Sequence, residues 1–175
     1  WLVVPMELAS LLTMNFVVRA VPAAGVVGTA LELLCGLACA LLLWKLTPVL
    51  RGYRTAALCQ IAVTLMNLFL LALPEGSALI LLLSIPAIVL GFYGNYVEFH
   101  THARAVEPLD AGLAAGWRKL WKLLLLSLGS LVLLIFSMFM GTFAVVLAGL
   151  AVLGLTVYYA VMRMVYLWRT AKCFR

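Results

Sequence analysis

Charge is scarce in this sequence. Only 10% of its 175 residues are Asp, Glu, Lys or Arg, where a soluble domain carries about a quarter. Hydrophobic residues reach 67% and the mean hydropathy is +1.20, so a water-solvated fold is excluded. Long polar segments are missing as well. The longest polar interval is 98–119, which leaves no room for a separate soluble domain. Asp110 is the only aspartate, which rules out paired intramembrane aspartates and aspartate-rich metal motifs for headgroup transfer. There are two histidines, His100 and His102, and no H-E-x-x-H pattern. Four cysteines are present without a C-x-x-C, so neither a dithiol redox motif nor a zinc site is signalled. Gly-x-Gly-x-x-Gly, P-loop and Gly-x-Ser-x-Gly signatures are absent, and no cofactor is implied.

Apolar runs fill the space that charge has vacated. Six are long enough to cross a hydrocarbon core of about 30 Å: about 2–18, 25–44, 53–73, 77–97, 120–140 and 142–167. Lipid cannot hydrogen-bond a backbone, so such runs must be helices. The expectation is an all-α, polytopic integral membrane protein with six transmembrane helices in one bundle and a single domain over 1–175. Short turns make consecutive helices antiparallel neighbours. The fourth helix is expected to run on through His102 and to break before Pro108, because the residue before proline disfavours helix. Residues 109–117 then read as a short interfacial helix between helices 4 and 5, anchored by Trp117, Trp121 and the adjacent bases. The chain opens on Trp1 rather than Met, which points to a missing or processed N-terminus; residues 1–20 are too long and too polar for a signal-peptide core.

The bases set the orientation. With the N-terminus inside, every Lys and Arg except Arg19 falls on or near the cytoplasmic side, an N-in/C-in topology. The net charge of +6 is thereby explained by the positive-inside bias and by attraction to anionic lipid, with no nucleic acid required. The inner (cytoplasmic) membrane of a bacterium is the expected location.

Ionisable and polar groups inside the spans are costly, and so they mark candidate sites. Glu7 lies in the first span and Glu32 in the second. Gly25, Gly28, Glu32, Cys35, Gly36 and Cys39 recur at helical spacing, forming a small-residue stripe that admits a close neighbour, possible partner proteins included. Gln60, Thr64 and Asn67, at i, i+4 and i+7, give the third span one polar face. Two readings stand for Glu32: an ion pair with Arg19 or contact with Asn15 of the first span, or a cavity carboxylate that takes a cation, a proton or an amine. The amide-hydroxyl face reads either as interhelical glue or as a ligand wall opposite Glu32.

A second polar group sits at the inner end: Tyr96, Glu98, His100 and His102 on the fourth helix, with Arg163 on the sixth. Two residues apart on a helix, the histidines point to nearly opposite sides and do not make a metal site. Arg163 either snorkels to the interface, pairs with Glu98 or binds lipid phosphate.

Three functions compete. The first is a small-molecule or ion binding and transport module. In size and helix count alone the chain is similar to the substrate-capture subunits of energy-coupling-factor vitamin transporters. Those carry alanines four apart on the first helix, and Ala9 and Thr13 depart from that pattern, so no family is assigned. The second is a non-catalytic accessory subunit of a membrane complex. The third, an enzyme using His100 and His102, lacks the clustered acids or bases that phosphate-ester chemistry needs.

Overall fold

The computed structural model of the chain describes residues 22–74, 77–137 and 139–174. The expected first span, with Glu7, Asn15 and Arg19, lies outside the described residues. Five α-helices follow in order: α1 (Pro22–Lys45), α2 (Arg51–Ala72), α3 (Ala78–Val106), α4 (Ala111–Ser137) and α5 (Thr142–Cys173). No strand occurs among the described residues. Four helices are long and apolar enough to cross a membrane: α1 from Val26, α2, α3 and α5. They leave large apolar side chains uncovered along their length, such as Val26 at 74% exposure, Phe69 at 67% and Leu81 at 70%. A surface of this kind is an aggregation hazard in water and an ordinary lipid contact in a bilayer. The chain is thus a helical membrane protein.

The helix ends follow local rules. α1 closes at Lys45, and Pro48 supplies the turn; α2 restarts at Arg51. Arg54 places its guanidinium 5.8 Å from the centre of the Trp44 ring, a cation–π contact across that turn. α3 runs 29 residues with Pro86 in its interior and stops at Val106, two residues before Pro108. One expectation requires correction: residues 109–117 are not a separate interfacial helix. The Asp110 carboxylate accepts the Leu113 N–H at 2.9 Å and so caps a helix that starts at Ala111 and continues unbroken to Ser137. Neither proline nor a turn signal interrupts 111–137, so the backbone has no reason to stop at Trp117. α4 also ends three residues short of the expected 140, and α5 extends past 167 to Cys173, about 48 Å at 1.5 Å per residue.

The chain divides into two compact units, Trp1–Thr101 and His102–Arg175, with the boundary inside α3. In the first, α1 and α2 form an antiparallel hairpin around a core of Leu43, Tyr53, Ala56 and Ala57, with Leu50 and Val97 packed against it. Small residues let α3 approach α2: a Cβ on Gly94 would stand 3.0 Å from the Cys59 Cβ, and one on Gly52 would collide with the Thr101 hydroxyl. In the second unit α4 and α5 pair along their length. Trp117 is fully buried there, with Val106, Leu113, Ala114 and Leu120 also inside.

Gly52 is the tightest of these contacts. Thr101 cannot swing away freely, because its hydroxyl donates to the Val97 carbonyl. Gly52→Ala is expected to cost about 1–3 kcal/mol as overpacking, seen as a lower melting temperature in detergent. Thr101→Ala added to it should recover most of that loss; equal melting temperatures for the wild type and Gly52→Ala would refute the contact.

Candidate functional site

Two helical stripes face each other in the α1–α2 hairpin. α1 offers Thr29, Glu32, Leu33 and Gly36, spaced i, i+3, i+4 and i+7; α2 offers Gln60, Val63, Thr64, Asn67, Leu70 and Leu71. Together they line a half-open groove of ≈ 400 Å³. Glu32, Gln60, Thr64 and Asn67 are thus brought to one place, where the sequence had put them on two separate spans. Gly36 makes the approach possible. A Cβ there would lie 2.9 Å from the Thr64 hydroxyl oxygen and 3.4 Å from Gln60 Nε2. Gly28, Cys35 and Ala40, on the same helix, are buried too.

The polar groups differ in how far they are committed. Thr64 is buried, and its hydroxyl donates to the Gln60 carbonyl one turn back at 2.8 Å, which leaves the oxygen able to accept. Gln60 and Asn67 are half-buried, and the Glu32 side chain stands exposed at the groove. Among the described residues no hydrogen bond or ion pair engages the Glu32 carboxylate or the two side-chain amides. Glu32 lies thirteen residues before Lys45, about 20 Å along the helix axis. From the other end of the span, at Val26, it is six residues or about 9 Å, so the carboxylate lies in the half of the span away from Lys45, and the groove offers one negative charge, two amides and two hydroxyls between apolar helices. That set suits a small cation or amine, whose charge would otherwise be costly at that depth.

The inner-end residues are distributed differently. In the first unit His100 donates from Nδ1 to the Tyr96 carbonyl at 2.8 Å, and the two rings lie 4.0 Å apart. Glu98 is within electrostatic reach of the buried Tyr53 hydroxyl. Tyr53 carried no signal in the sequence beyond its place at a span end. In the second unit His102 is buried and stacks on Trp117, ring centroids 4.5 Å apart and planes at 22°. The Trp117 indole N–H donates to the Thr170 hydroxyl at 3.0 Å, and Tyr166 packs over Gly116, where a Cβ would meet its ring at 2.9 Å. His102 is thus a packed core group, and the two histidines serve different surroundings. Among the described residues no group of three His, Cys, Asp or Glu side chains is placed to hold a metal. Arg163 is half-buried on α5, one turn beyond the buried Tyr159. Arg118 pairs with Glu107 at 2.7 Å across the α3–α4 turn.

Comparison with protein families, curated proteins and solved structures finds no match to the chain. The site must therefore be read from its own geometry.

Trp117 joins α4 to α5 through its indole N–H. Trp117→Phe keeps the ring stack with His102 but deletes that hydrogen bond, at an expected cost of about 1 kcal/mol. A drop in melting temperature that Thr170→Ala matches, and that the double variant does not deepen, is the outcome that fits; additive losses would show that the two residues act separately.

Proposed function

We propose that this protein binds a small cationic molecule or ion in the α1–α2 groove, as the recognition module of a transport process. One observation carries the reading: a carboxylate and two amides, uncommitted among the described residues, share one groove inside apolar helices. Interhelical glue would have these groups bonded to each other. Glu32 supplies the charge; Gln60 and Asn67 supply amide oxygens that can complete the shell of a cation or accept from an ammonium. Thr64 and Thr29 add oxygens at the groove floor and rim. A volume of ≈ 400 Å³ is near the lower end of the range for small-molecule sites, which favours a compact ligand.

The competing reading is an accessory subunit of a membrane complex, in which a helix of a partner covers the groove. The groove's open side and its flanking Leu33, Leu70 and Leu71 favour it. The small-residue stripe supports it less, because Gly36 already receives α2. In either case the basic helix ends favour an N-in/C-in arrangement in a bacterial inner membrane.

A panel of cationic and amine metabolites added to the detergent-purified protein is expected to contain at least one that raises the melting temperature by several degrees. Glu32→Gln should abolish that shift while leaving the unliganded melting temperature within about a degree. A panel without effect would favour the accessory reading. Cysteine tags at the two chain ends should both react only with reagents that reach the cytoplasmic face; ends on opposite faces would overturn the topology.

A further inference from the structure

The second unit carries a separate charge problem. Its only acids are Glu107 and Asp110. Both are engaged: Glu107 holds Arg118, and Asp110 caps α4. Six bases lie on the paired ends of α4 and α5: Arg118, Lys119, Lys122, Arg163, Arg169 and Lys172. The Trp117–Thr170 hydrogen bond fixes the register of that antiparallel pair, so residues 118–122 of α4 run alongside 163–169 of α5. Arg169 therefore falls opposite Arg118, with Lys119 and Lys122 within about 6 Å of it along the helix axis. Lys119, Lys122 and Arg169 are exposed, and no carboxylate meets them among the described residues. Lys172 sits over the Trp168 ring at 3.7 Å, which orients its ammonium but does not neutralise it.

We infer that this end of the α4–α5 hairpin is a binding site for the phosphate headgroup of an anionic phospholipid. Three features select a lipid over a soluble anion. Trp121 and Trp168 flank the bases, and aromatic rings of that kind settle at headgroup depth. Beyond the bases both helices turn apolar, with Leu125 and Leu126 exposed on α4 and Val157 and Val161 on α5, a path for acyl chains. The positive charge of Lys119, Lys122 and Arg169, which no carboxylate meets among the described residues, completes the match, since a basic surface at the end of a membrane helix draws anionic headgroups. The site uses none of the groove residues and is independent of the function proposed for them.

The full chain, delipidated in detergent, would be titrated with phosphatidylglycerol and with phosphatidylcholine, and bound lipid counted by native mass spectrometry. The wild type is expected to hold phosphatidylglycerol at least tenfold more tightly, less so in high salt. Removing a base near the headgroup is worth about fivefold. Lys119→Gln/Lys122→Gln, and separately Arg169→Gln/Lys172→Gln, each remove two bases and should therefore each lower the affinity about 25-fold, while Lys119→Arg/Lys122→Arg and Glu32→Gln retain it. Two variant pairs on different helices guard against one that fails to fold. Equal affinity for the two lipids overturns the assignment, as does a well-behaved glutamine variant with unchanged preference. Inorganic phosphate that displaces the lipid at equal concentration would overturn it too, by showing a site for free anions.

Discussion

Hydrocarbon offers a backbone no hydrogen-bond partner, and everything else in this protein is arranged around that. Each span must satisfy its own N–H and C=O groups, so each is a helix, and polar backbone ends are confined to the turns. The turns show the same pressure. Asp110 caps α4 with its side chain, the α1–α2 turn is closed by backbone bonds from Leu46, Thr47 and Val49, and Thr64, Ser84, Asn95 and Thr101 each donate back to the carbonyl four residues earlier. Side-chain polarity in the spans is thereby absorbed within single helices wherever a short side chain can reach its own backbone.

Lipid also removes the usual reason for helices to adhere, since tails are as apolar as leucine. What remains is close packing and a few polar contacts. The contacts accordingly fall at small residues: Gly36 under Thr64, Gly52 under Thr101, Gly94 against Cys59, Gly116 beneath Tyr166. Each is a place where the absence of a side chain brings two helices within van der Waals reach. Many large apolar side chains instead stand exposed on the outer helix faces, where a bilayer would cover them. This departs from the soluble pattern, in which the largest apolar groups form the core, although Trp117 in one unit and Phe99 and Tyr53 in the other are buried in the soluble manner.

The two sites divide along the same physics. Glu32, Gln60 and Asn67 line the groove, and among the described residues no hydrogen bond or ion pair engages their side chains. The exposed bases of α4 and α5 lie at the paired helix ends, where a headgroup phosphate would complement them. Some of this was legible in the residues. The i, i+4, i+7 spacing put Gln60, Thr64 and Asn67 on one face, and the two-residue offset separated His100 from His102. The stacking of His102 on Trp117, the reach of Glu98 to Tyr53 and the alignment of α4 with α5 had no local signature, because each joins residues far apart in the chain.

By itself the sequence determined the solvent, the helical class and most helix ends, since those depend on hydropathy and on local breakers such as Pro48 and Pro108. It misplaced the start of α4, where a single capping carboxylate at Asp110 outweighed the interfacial pattern of 109–117. Only the tertiary structure decided which faces meet. A helix shows its stripes in the sequence but not its neighbour, and the choice is made by a methyl group's width: without the gap at Gly36, the carboxylate of α1 and the amides of α2 would not share a groove.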